Sequence, residues 1–118
     1  MAESNINDQA SMLEKLIAFR EKDKFSDEAW NERGLNPSTR ELSDSLQQVF
    51  NECANGLIHS IKENEDKSVL SSWISVYLNK IDPFDLDTEE TEFVVDLMFE
   101  LSQVVDVNIE SIVDEWIY

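Results

Sequence analysis

The spacing of the apolar residues constrains the fold of this chain more than any other feature. Along the middle of the sequence they recur every three or four positions, as Leu42, Leu46, Val49, Phe50, Cys53, Leu57 and Ile61. This spacing places apolar side chains on one face of an α-helix. The 118 residues include two glycines and two prolines, too few for the many tight turns of an all-β protein. The sequence therefore predicts an all-α fold.

The same spacing elsewhere predicts a compact bundle of about four main helices plus one short helix, in a single domain spanning residues 1–118. The main helices are expected at residues 8–22, 36–63, 67–80 and 87–105. The short helix is expected at residues 26–33, and a last short helical segment follows Asn108. Residues 1–7 precede the first apolar stripe, and we expect them to be disordered.

Local signals mark the ends of several helices. Ser26 precedes two acidic residues and reads as an N-cap, while Gly34 follows the end of the same segment. Asp87 and Glu90 have the spacing of a capping box, and Asn108 is a candidate cap for the last helix. Short polar side chains and glycine at these positions satisfy the backbone groups that a helix end leaves unpaired. These residues therefore set most of the predicted boundaries.

Two positions leave alternatives open. The second main helix can begin at Asn36-Pro37 or at a capping box over residues 38–41. Gly56 lies inside a predicted helix, where glycine costs about 1 kcal/mol relative to alanine, and it indicates a close helix contact or a bend. Residues 82–86 are expected to form a loop, because Pro83 disfavours helix at the residue before it.

The net charge of −17 is unevenly distributed along the sequence. Residues 82–118, here called the acidic third, contain 12 of the 26 acidic residues and no lysine or arginine. A field of this sign repels nucleic acid and anionic membranes and speeds encounter with a basic partner. We therefore expect a basic protein partner, no direct nucleic-acid binding and no membrane binding. The alternative is a solvated surface that keeps the protein soluble.

The cellular compartment is predicted from two absences. The N-terminal sequence lacks the basic and apolar regions of a signal peptide, and no stretch is apolar for long enough to cross a bilayer. Cys53 is the single cysteine, so no internal disulfide can form, and we expect it to be a small core residue. These features favour a cytoplasmic protein, and the sequence carries no signal of oligomeric state.

Residues for catalysis are sparse. His59 is the single histidine, too few for a zinc or di-iron site on helices, and the adjacent Ser60 has no nucleophile motif. Glu89 and Glu92 form one Glu-x-x-Glu pair, as in all-helical Mg-dependent nucleotide pyrophosphohydrolases, but a second such pair is missing. We therefore predict no catalytic residue, no metal ligand and no cofactor. A carboxylate-based Mg/Mn-dependent hydrolase is the alternative.

One helix face combines acidic residues with an aromatic residue. In the predicted helix 87–105, four carboxylates lie on the arc opposite the apolar stripe: Glu89, Glu92, Asp96 and Glu100. Phe99 falls inside or beside this arc. One interpretation is that Phe99 is a partner-facing anchor within an acidic rim. The other is that this helix is central and that its neighbours cover Phe99. These five residues are the predicted partner-binding candidates.

Three stretches of the chain resemble a known family. They are Phe25-Ser26-Asp27-Glu28-Ala29-Trp30 through Arg33-Gly34-Leu35-Asn36-Pro37-Ser38, then Leu86-Asp87-Thr88-Glu89-Glu90-Thr91-Glu92, and the closing Asp114-Glu115-Trp116-Ile117-Tyr118. They resemble the small bacterial proteins known as domain of unknown function 4844. The resemblance implies an all-helical bacterial protein and supplies no catalytic residues.

As a class, small acidic helical proteins of bacteria also resemble immunity proteins and inhibitors that neutralise toxins. This likeness of class, together with the acidic third, predicts a non-enzymatic protein that binds a basic partner such as a toxin. Two other functions stay open, the carboxylate-based hydrolase and an acidic mimic of nucleic acid.

Overall fold

Six α-helices and one 3-10 turn form the part of the chain that the structure describes. The computed structural model describes the backbone of residues 2–117 and the side chains of residues 9–117, and it contains no strand within that range. The elements are α1 (Ala2–Glu21), α2 (Asp27–Glu32), α3 (Arg40–Lys62), α4 (Lys67–Leu78), a 3-10 turn (Pro83–Asp85), α5 (Thr88–Val104) and α6 (Glu110–Ile117). The predicted all-α bundle is confirmed. Helix α1 begins at Ala2, before the predicted start at residue 8. The side chains of residues 1–8 lie outside the described residues, and the predicted disorder of residues 1–7 stays a prediction.

The local signals at helix ends act as the sequence predicts. Ser26 is the N-cap of α2, and Gly34 follows the end of that helix with a φ of +76°. The capping box of α5 is complete, because the side chains of Asp87 and Glu90 each accept the other's backbone N–H. Asn108 Oδ1 accepts the backbone N–H of Glu110 at 2.9 Å. These ends are correct because capping depends on neighbours in sequence.

The predicted start of the second main helix was wrong. Helix α3 begins at Arg40 with Thr39 as its N-cap, so it begins neither at Pro37 nor with a capping box over residues 38–41. The Ser38 hydroxyl is hydrogen-bonded instead to the carboxylate of Glu90 on α5, a partner that local sequence cannot indicate. The predicted loop 82–86 contains a 3-10 turn, because Asp82 caps it and accepts the backbone N–H of Phe84.

An aromatic cluster joins four of the helices at the centre of the core. Phe93 of α5 packs edge-on against Trp30 of α2, with ring centroids 4.6 Å apart. Phe25, between α1 and α2, lies 5.2 Å from Phe93 and 5.6 Å from Phe50 of α3. Phe19 of α1 completes the cluster beside Phe50. All five rings are buried, and aromatic pairs at these distances add to the stability gained from area burial.

Helix α4 packs against α3 through a glycine. A Cβ placed on Gly56 would lie 2.9 Å from two ring atoms of Trp73, so this glycine permits a close helix contact, as its position predicts. Trp73 is half-buried, and its Nε1 donates a hydrogen bond to the buried Ser60 Oγ at 2.6 Å. Most residues of the predicted apolar stripes are buried or half-buried, but Ile17 is exposed because Leu16 and Phe19 form the packed face of α1.

Candidate functional site

The carboxylates predicted for partner binding all lie on the surface of α5. Glu89, Glu92, Asp96 and Glu100 are exposed, as expected for residues opposite the apolar stripe. Glu89 and Glu92 have no lysine or arginine partner within the described residues. Asp96 and Glu100 do have such partners. The acidic face of α5, defined by these four residues, therefore has one unpaired half near its N-terminus and one paired half further along.

The two paired carboxylates contact bases from the N-terminal part of the chain. Asp96 Oδ2 lies 2.5 Å from the guanidinium of Arg33, and a Glu100 carboxylate oxygen lies 3.2 Å from Lys22 Nζ. The Arg33 guanidinium also lies 4.5 Å from the centroid of the Phe93 ring, a cation–π contact. Sequence reasoning missed both ion pairs, because the partners are 63 and 78 residues apart along the chain.

The burial of Phe99 lies between the values that the two interpretations of its role predict. Phe99 is half-buried and packs against the core, but it also lines a surface depression of about 400 Å³ with Lys67 and the residues between α5 and α6. Its backbone carbonyl accepts a hydrogen bond from Ser102 Oγ at 2.7 Å. Phe99 is therefore partly accessible and is not presented as a free anchor.

In the part of the chain that the structure describes, most carboxylates of the acidic third have no cationic partner. Within the described residues, Asp96, Glu100 and Asp106 form salt bridges, and the other nine acids of this segment do not. The exposed pair between Lys67 Nζ and Asp106 measures 2.7 Å, and the hydrogen bond from the Lys67 ammonium lowers the pKa of Asp106. The acidic third thus retains most of its negative charge on the folded surface.

A second acidic surface lies outside the acidic third. A surface depression of about 920 Å³ has a lining that includes Arg40 and the acidic residues Asp23, Asp27, Glu28, Glu32 and Asp44. Sequence reasoning interpreted Asp27 and Glu28 as helix-start residues, which they also are. Negative charge therefore covers the region around α2 as well as α5.

The histidine and the cysteine of the sequence, His59 and Cys53, both lie on α3. His59 is exposed on α3, and Cys53 is buried, where desolvation raises the pKa of its thiol to about 12. A thiol with so high a pKa carries little thiolate at neutral pH and is a weak nucleophile. No group of three or more His, Cys, Asp or Glu residues within residues 9–117 could hold a metal ion.

Lys24 is a buried cation that the sequence did not reveal. Its ammonium donates hydrogen bonds to the backbone carbonyls of Phe19 at 2.8 Å and Lys22 at 3.1 Å, and to Asn51 Oδ1 at 2.8 Å. Burial, together with the smaller effect of the nearby Lys22 charge, lowers the pKa of Lys24 from 10.5 to about 8. Lys24 thus caps the C-terminus of α1.

Phe84 is another residue that sequence reasoning passed over. Its side chain is 95% exposed in the 3-10 turn, whereas every other aromatic side chain with a described burial is buried or half-buried. One sequence feature could have indicated this exposure: Phe84 is a single aromatic residue between Pro83 and Asp85, in a segment without apolar periodicity.

A family comparison covers nearly the whole chain. The sequence model of the family described as domain of unknown function 4844 matches residues 3–118. The chain belongs to this family. No curated protein is similar enough to this family member to count as a match. Among the described helices, none combines the length and the apolar character needed to span a bilayer.

A solved structure resembles this family member in fold. It is the crystal structure of a DUF3571 family protein from Acinetobacter baumannii AYE, determined at 1.95 Å resolution. The two chains superpose with a TM-score of 0.82 at 23% sequence identity, over 95% of this chain and 92% of the other. At this identity the likeness shows a shared helical fold, and function has to be argued from the surface of the molecule.

Proposed function

We propose that this protein is a non-enzymatic binding protein of the immunity-protein or inhibitor kind, which uses its acidic surface to bind and block a basic protein such as a toxin. The observation that carries this proposal is the exposed charge of the acidic third. Nine of its twelve carboxylates have no lysine or arginine partner within the described residues. Unpaired surface carboxylates repel one another, and a basic partner relieves that repulsion.

The sign and placement of the charge favour a protein partner. A negative field repels the phosphates of nucleic acid and of anionic lipids, and it accelerates encounter with a positively charged protein. Glu89 and Glu92 are the best placed for this role, because no cation of the described chain competes for them. Phe99, which is half-buried, would add apolar contact through the exposed part of its side chain. We also propose a cytoplasmic location, with which a single buried cysteine is compatible.

The test is the salt dependence of complex formation. The protein, purified under native conditions from the cells that make it, should bring with it a basic protein at low ionic strength and lose it at high ionic strength. Glu89→Gln/Glu92→Gln should slow association of the isolated complex. Glu63→Gln/Glu65→Gln is the matched control, because it removes the same charge from an exposed segment outside the acidic third. Equal association rates for the two variants would contradict docking on α5, and the absence of a basic partner would contradict the proposed function.

A further inference from the structure

The 3-10 turn between α4 and α5 exposes an aromatic side chain that the fold does not use. Phe84 is 95% exposed, so nearly all of its apolar surface faces water. An aromatic side chain carries a large apolar area, and exposing it gives the fold no stability. Exposed aromatic residues of this kind are enriched at protein interfaces, where they fill pockets on the partner.

Hydrogen bonds hold the turn that carries Phe84. Asp82 Oδ1 accepts the backbone N–H of Phe84 at 2.9 Å, and the carbonyl of Pro83 accepts the N–H of Leu86 at 3.2 Å. Before the turn, Ile81 is buried, and its carbonyl accepts a hydrogen bond from Trp116 Nε1 at 2.7 Å. The side chain is therefore presented on an ordered backbone, which lowers the entropy lost when a partner binds.

Acidic residues surround Phe84 along the chain. Asp82, Asp85 and Asp87 are exposed, and none of them has a lysine or arginine partner among the described residues. The nearest base in sequence is Lys80, whose Nζ lies over the Tyr77 ring at 4.8 Å. This charge decides which partner fits. A second copy of a chain with net charge −17 would bring like charges together, and an anionic membrane would repel the turn.

We propose that Phe84 is the apolar anchor of the interface, inserted into an apolar pocket on a basic protein while Asp82, Asp85 and Asp87 face cations around that pocket. This inference rests on the proposed function in one respect, namely that the partner is a basic protein. It adds a defined contact beside the point where the α4–α5 connection meets α6. Because Phe84 is separate from the core, it can be replaced without loss of folding.

The first experiment uses photo-cross-linking in the cells that make the protein. The Phe84 side chain is replaced with p-benzoyl-phenylalanine, and Val76, 51% exposed on α4, is replaced in the same way as the matched control. We expect position 84 to cross-link one basic protein and position 76 to give much less of that product. Equal cross-linking from the two positions, a product containing a second copy of this chain, or binding of the purified protein to anionic phospholipid vesicles would overturn the inference.

The second experiment measures the affinity of the protein for the partner that cross-linking identified, after that partner has been purified in its free form. Phe84→Ala should raise the Kd by about 30-fold or more through faster dissociation, as expected for a pocket-filling anchor, while Val76→Ala leaves it unchanged. Asp82→Asn/Asp85→Asn should chiefly slow association, since asparagine caps the turn as aspartate does but carries no charge. The melting temperature of Phe84→Ala should equal that of the wild type.

Each result separates the two proposals. A salt-sensitive complex that is unaffected by Phe84→Ala would overturn the anchor and leave the proposed function standing. If no complex with a basic protein forms at any ionic strength, both proposals fail.

Discussion

The backbone of Gly56 in α3 lies against the indole ring of Trp73 in α4, so closely that an added Cβ would be 2.9 Å from ring atoms Cδ2 and Cε3. The ring cannot move away easily, because its Nε1 is hydrogen-bonded to Ser60 Oγ and its face stacks on Tyr77 at 5.9 Å. The contact fixes how closely α3 and α4 approach each other.

The effect of Gly56→Ala on the free energy of unfolding should therefore have opposite signs in the presence and in the absence of the Trp73 ring. Alanine gains about 1 kcal/mol of helix propensity, but overpacking against a held ring costs about 1–3 kcal/mol, so we expect net destabilisation in the wild type. In a Trp73→Ala background the clash is gone, and Gly56→Ala should stabilise the protein by up to about 1 kcal/mol. Urea unfolding of the four proteins measures this coupling, and an equal effect in both backgrounds would contradict the contact.

Truncating Leu97 and truncating Trp73 to alanine should destabilise the protein by similar amounts but for different physical reasons. Leu97 is buried in α5, so Leu97→Ala should cost about 2–5 kcal/mol through the cavity it leaves. Trp73 is half-buried, and Trp73→Ala should cost about 3 kcal/mol, partly because the buried Ser60 hydroxyl loses its partner. Trp73→Phe isolates that hydrogen bond in the same unfolding experiment. Wild-type stability of Leu97→Ala would show that this face of α5 is not packed.

The stability of the protein should depend on the protonation of Lys24 in alkaline solution. The pKa of Lys24 is lowered from 10.5 to about 8 by burial, so between these values the unfolded chain holds a proton that the folded chain has lost. Folding is then favoured as pH rises from about 8 to 10.5, by up to about 3 kcal/mol. Relative to Lys24→Met, the wild type should gain stability over this window in denaturant titrations at successive pH values. A difference that shrinks with pH would mean that the three acceptors hold the ammonium more strongly than burial opposes it.

Phe99→Ala measures how much the packing of this side chain against the core contributes to stability. Its half-buried position predicts a loss of about 2 kcal/mol, between the effect of about 0.5 kcal/mol at an exposed site and about 3–5 kcal/mol at a buried one. Once a partner is isolated, Phe99→Ala should also speed dissociation of the complex if the exposed part of the ring contacts that partner. A stability loss of about 3–5 kcal/mol, as at a buried site, together with an unchanged dissociation rate would show that Phe99 acts only in the core.

Charge reversal on α5 should act on stability as well as on association. Asp96→Lys/Glu100→Lys removes the pairs with Arg33 and Lys22 and places like charges together, which should cost about 1 kcal/mol or less per exposed pair. The same change should slow association with a basic partner and weaken its salt dependence. Stopped-flow association at two ionic strengths measures the second effect, and an unchanged rate would leave this half of α5 as an internally paired surface.

The hydrolase alternative makes its own prediction about divalent metals. A specific site binds metal in the folded state and raises the melting temperature, whereas scattered carboxylates do not. Because residues 9–117 contain no group of three or more potential ligands, we expect no shift in a thermal melt with millimolar Mg²⁺ or Mn²⁺. A clear increase, lost in Glu89→Gln/Glu92→Gln, would revive the carboxylate-based hydrolase.

The helices and most of their ends follow from the amino-acid sequence alone. Apolar spacing identified the buried faces of α3, α4 and α5, and the caps at Ser26 and Asp87 were correct, because each depends on residues within one or two turns. It also placed Glu89 and Glu92 on the surface, opposite the apolar stripe of their helix.

Tertiary structure alone decided which distant residues meet. The pairing of Asp96 with Arg33 and of Glu100 with Lys22, the burial of Lys24 and the start of α3 at Arg40 all depend on contacts between segments far apart in sequence. Periodicity shows which face of a helix turns inward but carries no information about the side chain that will oppose it. The exposure of Phe84 was hidden for the same reason, since only the packing of α4, α5 and α6 around the turn determines which of its side chains is left outside.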